Sequence, residues 1–227
     1  RKLMARIVLT DIEGTTSAID FVHRVLFPYA REHLPDFVRA HADDPEVRAA
    51  IDAVQAETRD GDDEAVITRL LHWIDIDRKA TPLKTLQGLI WDTGYQRSDF
   101  TAHVYIDALD QLRTWHAAGI PLYDYSSGSI AAQKLFFRHS VFGDLLFWFQ
   151  GHFDTTSGGK READAYHRIA AAIGTPESDI LFLSDVEAEL DAAKAAGMAT
   201  AQLVRSDTQP ESHGRHATAA TFRDIVP

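Results

Sequence analysis

The chain contains no cysteine. That excludes disulfide bonds, thiolate metal sites and a cysteine nucleophile. It is also short of positive charge, with 23 lysines and arginines against 34 aspartates and glutamates and a formal net charge of −11. Nucleic-acid partners need a positive footprint against the phosphate backbone, so this balance argues against that class. It still allows a small anionic substrate in one locally basic pocket. No apolar run approaches the ~20 residues that cross a bilayer. The longest patches, Ile120-Pro121-Leu122 and Leu145 to Phe149, are far shorter. The opening Arg1-Lys2-Leu3-Met4 leads into no apolar stretch of signal-peptide length. The expectation is a cytoplasmic protein with no membrane and no nucleic-acid partner. There is no internal repeat and no low-complexity tract. What is present, 227 residues with 45% hydrophobic content, suffices for one sizeable core and a smaller second layer.

Residues 5–10 read as a short buried strand, ended by Asp11 and a Gly-Thr-Thr turn. The same grammar recurs at 119–125 before Ser126-Ser127-Gly128-Ser129, and at 179–183 before Ser184-Asp185. Residues 198–204 are a fourth candidate. Helical patterns over 108–118, 161–172 and 187–196 lie between these strands, the last stopping at Gly197. Strand, polar turn and helix in repetition predict an α/β, Rossmann-like fold with a parallel sheet, which binds ligands at the carboxyl ends of its strands. Residues 20–105 differ. Helices are expected over 21–37, 45–58, 63–74 and 82–91, with Thr81 as N-cap and Pro82 at the first helical position. A βα connection is normally a few residues. The expected organisation is therefore a core of 1–19 and 106–227 with an all-helical cap domain, 20–105, inserted near the first strand end.

Four segments carry residues suited to chemistry. Asp11 and Glu13 are carboxylates two apart at a strand end, before Gly14; they can serve a reaction or a metal, or simply cap the turn. Ser126 and Ser127 precede a helix expected near Ile130, an arrangement that cradles an anion or makes an ordinary N-cap. Lys160 follows Gly158-Gly159, without the spacing of a P-loop, and is either a point charge for a phosphate or a solvated side chain. Asp185 ends a strand with Glu189 four residues on, a pattern that suits a hard divalent cation or a helix N-terminus. Asp124, inside a strand and facing away from Tyr123 and Tyr125, has no evident task. His23, His72, His103 and His152 lack metal-ligand spacing and read as structural or surface residues. Taken together, the four segments offer what metal-assisted phosphoryl transfer needs: a nucleophile, phosphate donors, a neutralising cation and metal ligands.

This order of segments resembles the haloacid dehalogenase-like hydrolase superfamily. Asp11 matches its nucleophile, Ser126 its second motif, Lys160 its third, and Asp185 with Glu189 its fourth. Longer strings resemble the enolase-phosphatase, or acireductone synthase, family. They are Asp11 to Thr16 with Leu26-Phe27-Pro28-Tyr29-Ala30, then Asp77 to Lys84, then Tyr125 to Ser129 with Ala132-Gln133-Lys134-Leu135, then Gly151 to Thr156 and Gly159-Lys160-Arg161-Glu162. The resemblance runs from about residue 5 to 205. Asp20, Asp124, Arg138 and Phe147-Trp148 depart from the family pattern, and the tail from Ser206 matches it poorly. The resemblance implies a Mg²⁺-dependent enzyme of methionine salvage, acting as a monomer on a small-molecule phosphate ester. It implies catalytic roles for Asp11, Glu13 and Lys160, and substrate binding by Ser126, Ser127 and Lys160. The metal would be held by Asp11, the Glu13 carbonyl and Asp185. Glu13 is either the acid for the leaving oxygen or the enolisation base. In the cap, Lys84 and Arg97 are candidate substrate-binding charges, and Trp73, Trp91, Tyr95 and Phe100 are either apolar contacts for the substrate or plain core.

Overall fold

Ile7, Val8 and Leu9 are apolar at successive positions, and a strand of that kind is stable only with both faces covered. The computed structural model describes residues 7–227. In it these residues form β1 (Ile7–Thr10), buried along its whole length; residues 5 and 6 of the expected strand lie outside the described residues. With β2 (Leu122–Tyr125), β3 (Phe149–Phe153), β4 (Ile180–Ser184), β5 (Ala199–Leu203) and β6 (Ala217–Ala219) it makes one sheet in the order β3-β2-β1-β4-β5-β6. Every neighbouring pair is parallel, so the predicted doubly wound α/β architecture is borne out. Four of the strands fall where apolar runs predicted them. β3 and β6 were not anticipated, because the first mixes polar residues with glycine and the second is only three residues long.

The helices Ile106–Ala117, Ile130–Arg138, Ala163–Ile173 and Glu187–Ala195 connect these strands. Leu9, Tyr125 and Phe182 from three adjacent strands pack with Tyr166, Ile169 and Leu190 from two of the helices. Each such large apolar side chain stabilises the fold by about 1.5–3 kcal/mol when fully buried. Register decides where the chemistry sits. Thr10 lies beside Asp124 on one side and Leu183 on the other. The residues that follow each of these positions therefore leave the sheet at one common edge.

By contact, the chain divides into two compact units: Ala102–Pro227 with the described part of Arg1–Ile19, and Asp20–Thr101. The second unit is all helical. A run beginning at Ile19 passes through a π-helical turn, Val22–Leu26, into the helix Phe27–His41. Pro45–Thr58, Asp63–Asp75 and Thr81–Arg97 follow. Apolar residues spaced three and four apart, Val66, Leu70 and Trp73 on one helix and Leu83, Leu86 and Ile90 on another, meet in its core. The last helix starts one residue earlier than expected, so Ala80 and not Thr81 is its N-cap, and it continues through Gly94 to Arg97. Gly94 is there for packing, since a Cβ would lie 2.9 Å from the Tyr29 ring and closer still to Phe100. Among the described residues no helix is long and apolar enough to cross a membrane.

Candidate active site

The site is built at the strand ends of the first unit. Asp11 leaves β1 with its backbone N–H donating to the Leu183 carbonyl (2.8 Å). The chain then turns through Gly14 at φ +81°, a left-handed conformation that costs glycine least. A Cβ at Gly14 would run into the Asp185 carboxylate, so the turn is both tightly wound and tightly faced. Thr16 Oγ1 donates to the Asp11 carbonyl (2.7 Å) and secures the base of the loop.

Thr15 links the acids. Its hydroxyl oxygen accepts from the Asp185 backbone N–H (2.9 Å) and lies 3.2 Å from Asp11 Oδ2 and 3.4 Å from Asp185 Oδ1. One hydroxyl proton is thus shared between two carboxylates. On its other side Asp11 meets Lys160, whose Nζ is 2.5 Å from Asp11 Oδ1 and 2.8 Å from Glu189 Oε2. Glu189 also accepts from Ser184 Oγ (2.9 Å). Lys160 sits on a loop fastened by side chains that donate to its carbonyls: Tyr125 to Gly158 (2.8 Å), Tyr166 to Lys160 itself (2.6 Å) and Arg168 to Ser157 (2.6 Å). The ammonium is therefore fixed and not solvated. Desolvation works to lower its pKa, but the charges of Asp11 and Glu189 outweigh it and the net shift is upward.

Ser126 follows β2 and is fully buried. Its hydroxyl contacts both carboxylate oxygens of Glu13, at 3.1 and 3.0 Å, and accepts from the Gly128 N–H (3.0 Å). Gln133 Nε2 holds this turn by donating to the Gly128 and Phe153 carbonyls, both at 2.8 Å. Ser129 caps the helix from Ile130, accepting from the Ala132 N–H (3.2 Å). Glu13 is half-buried. Loss of water around its carboxylate, and then the charge of Asp11, raise its pKa above the ordinary value. Asp185 is pushed up to about 7 by burial and by the charges of Asp11 and Glu189.

The structure thus brings Asp11, Glu13, Ser126, Lys160, Asp185 and Glu189 to one sheet edge. Ser127 is exposed in the adjacent turn. Lys84, half-buried, and Arg97, exposed, lie on the helix Thr81–Arg97 of the other unit. In that unit Trp73 and Tyr95 are buried, and Phe100 packs edge-on against Tyr29 and Tyr95. Asp124, left without a task above, is fully buried and pairs with His152 Nδ1 at 2.5 Å. Burial pushes its carboxyl up to about 6, against the opposing pull of His152, and the charges of Glu13 and Asp11 add to the rise. Its Oδ1 has no hydrogen-bond partner among the described residues.

No group of three or more histidines and acids arranged as a cation site occurs among the described residues. The donor chemistry nevertheless suits a divalent cation. Asp11 and Asp185 direct carboxylate oxygens at one hydroxyl, and burial followed by the charge of Asp11 raises the pKa of Asp185. A hard cation that keeps several waters needs only one or two such carboxylates. Sequence reasoning did not find two contributors. Thr15 stood in a quoted motif without a role, and Arg205, which donates to the Thr15 carbonyl at 2.9 Å, is a lone charge after a strand.

Comparison with known proteins decides the family. The sequence profile of haloacid dehalogenase-like hydrolases matches residues 5–197. Enolase-phosphatase E1 of Pseudomonas aeruginosa strain UCBPP-PA14 is 58% identical over 221 residues, covering 96% of this chain and 97% of that protein. The chain belongs to the enolase-phosphatase E1 family. Enolase-phosphatase E1 of Thioalkalivibrio sulfidiphilus is 54% identical over 223 residues, spanning 98% of this chain and 99% of its own length. Among solved structures, the UTR4 protein of Saccharomyces cerevisiae is similar with a TM-score of 0.84 and 33% identity, covering 97% of this chain and 100% of its own. CbbY of Rhodobacter sphaeroides, at 17% identity and a TM-score of 0.61, shares the fold. Membership of this family makes the chain a haloacid dehalogenase-like hydrolase, with a parallel-sheet core and a helical cap.

Proposed function

We propose that this chain is a Mg²⁺-dependent enolase-phosphatase of methionine salvage. It converts 2,3-diketo-5-methylthiopentyl-1-phosphate into 1,2-dihydroxy-3-keto-5-methylthiopentene and inorganic phosphate. One observation carries the reading. A second carboxylate, Glu13, stands two residues beyond Asp11, held by Ser126 and with a raised pKa. A carboxylate made more basic by burial is a better proton acceptor and can hand the proton back, as enolisation requires. Asp11 is the nucleophile: its carboxylate oxygen bonds to phosphorus, the bond to the leaving oxygen breaks, and water then hydrolyses the aspartyl-phosphate. Lys160 neutralises Asp11 and the phosphoryl oxygens, while Ser127 donates to them together with Ser126, whose single hydroxyl proton turns from Glu13 to the phosphoryl group when substrate binds. A Mg²⁺ held by Asp11, Asp185 and the Glu13 carbonyl would supply charge neutralisation at the phosphoryl group. In this reading the helical unit, expected over 20–105, is the cap, and its Lys84 and Arg97 bind substrate. The protein works as a cytoplasmic monomer.

The test follows phosphate release and the near-ultraviolet absorbance of the conjugated enediol together, on the diketo phosphate, with Mg²⁺ and with chelator. Both signals should depend on Mg²⁺ and fall at least about 10³-fold in Asp11→Asn. In Glu13→Gln, proton exchange at the substrate carbon should fall about 10²-fold or more. Phosphate release from other small esters, with neither signal from this substrate, would replace the reading with a plain phosphomonoesterase of the same fold.

A further inference from the structure

Arg205 stands just past β5, and only 5% of it is exposed. A guanidinium taken out of water needs its donors matched, and here all three nitrogens have an acceptor. Its Nη1 and Nη2 donate to the two carboxylate oxygens of Asp107, each at 3.0 Å. Its Nε donates to the Thr15 carbonyl at 2.9 Å. Its Cζ lies 3.8 Å from the Tyr105 ring centroid and 5.6 Å from that of Phe222. Asp107 is held in turn by the Phe222 N–H (2.8 Å). Tyr105 reaches the same loop, with its N–H donating to the Thr16 carbonyl (3.0 Å). The group that all this fixes is Thr15, the residue whose hydroxyl stands between Asp11 and Asp185.

We propose that Arg205 is a positioning residue for catalysis: anchored on Asp107 and stacked on Tyr105, it holds the Thr15 carbonyl so that the Thr15 hydroxyl sets the spacing of Asp11 and Asp185. The inference rests on the reading that Asp11 and Asp185 are the working carboxylates. Each link has a geometric reason. Thr15 is fully buried, so without Arg205 its carbonyl loses a partner that water does not readily replace. The loop then relaxes, and the hydroxyl moves with the backbone that carries it. Displacements of about 1 Å in a reacting constellation cost about 10²-fold in rate. A lysine would not substitute, because one ammonium cannot present a planar fork to Asp107 and a separate donor to Thr15. The fastening comes from outside the four segments that carry the chemistry. It ties the segment after β5 to the loop after β1 without touching substrate.

The experiment compares wild type with Arg205→Ala, Arg205→Gln, Thr15→Val and the double variant Arg205→Ala/Thr15→Val. Steady-state rates on the diketo phosphate are expressed per folded molecule, as fixed by circular dichroism, and Mg²⁺ affinity is measured separately by calorimetry. Arg205→Ala and Arg205→Gln should lower kcat about 10- to 100-fold with KM within about threefold. Both should also weaken Mg²⁺ binding severalfold. Guanidinium ion in the tens of millimolar, below denaturing levels, should restore part of kcat in Arg205→Ala but nothing in Thr15→Val. The double variant should be no slower than Thr15→Val alone, because both changes cut one path. If Arg205→Ala does not fold, Arg205→Gln, which keeps an amide NH₂ but not the charged fork, carries the test. Rates within twofold of wild type in a less thermostable variant would make Arg205 purely structural and overturn the proposal. Losses that multiply in the double variant would overturn the path through Thr15. Asp11→Asn is run alongside: if that variant kept its activity, the reading of the site itself would fail, whatever Arg205 does.

Discussion

The pair of Asp124 and His152 offers a quantitative test of the electrostatics beneath the site. Both lie inside the sheet, on adjacent positions of β2 and β3. The Asp124 carboxyl titrates near 6 and not at its ordinary 3.8, chiefly because burial disfavours the charge. At about 1.36 kcal/mol per pH unit, that difference is worth about 3 kcal/mol. The sign follows from proton counting. Between about pH 4 and 6 the folded protein binds more protons at this group than the unfolded chain does. Stability present below pH 4 is therefore lost as pH rises through 6. The perturbation is Asp124→Val together with His152→Phe, two residues that suit buried strand positions. Urea unfolding of both proteins from pH 4 to 8 measures the effect. The difference in stability, wild type minus variant, should fall by up to about 3 kcal/mol between pH 4 and 7. At pH 8 the double variant should match wild type or exceed it, because it removes a carboxylate whose burial disfavours its charge. His152→Phe alone should cost about 1–3 kcal/mol at pH 8, because it removes the hydrogen-bond partner of a buried carboxylate. Stability profiles that run parallel across pH 4–7 would refute the argument.

Two further outcomes follow from the same geometry. Lys160→Met removes the cation that Asp11 and Glu189 share, so kcat should fall about 10²–10³-fold, with about 3–5 kcal/mol lost in thermal or urea unfolding. Asp185, raised to about 7 beside Asp11 and Glu189, holds a proton below that pH when no cation is bound. If Asp185 holds Mg²⁺ as proposed, the cation must displace that proton, so affinity measured by calorimetry should strengthen about tenfold per pH unit up to about 7 and then level off, and binding at pH 6 should release a proton.

The central strands were legible because a strand covered on both faces is written as an unbroken apolar run. Ile7-Val8-Leu9 and Ile180 to Leu183 are of that kind. β3 was not legible, because it interleaves Gln150, Gly151 and His152 between its phenylalanines. Its place is fixed by a partner that local sequence does not reveal: Gly151 leaves room for the Tyr123 ring, 3.0 Å from where a Cβ would stand. The same division holds at the site. Residue types at strand ends could be read from the chain, but the pairing of Ser126 with Glu13, of Lys160 with Glu189 and of Arg205 with Thr15 could not. Those pairings depend on register between distant strands. Asp124 shows the point most sharply. Alone it looked misplaced in a strand, and only the residue beside it in β3 explains how a carboxylate is tolerated there.

The insertion of one unit within the other also orders events during synthesis. β1 is made before the helical unit, yet its two neighbours begin only after it, at Leu122 and Ile180. Asp20–Thr101 is contiguous and holds its own apolar core. As the chain emerges, the helical unit is thus able to bury its side chains before the sheet can, while Ile7-Val8-Leu9 waits unpaired. An exposed apolar strand of that kind is open to pairing with other chains. The carboxylates cannot be gathered until Asp185 has been added and Arg205 has docked behind Thr15. Catalytic activity in this protein therefore reports completed folding of nearly the whole chain, and aggregation during synthesis is the hazard its topology carries.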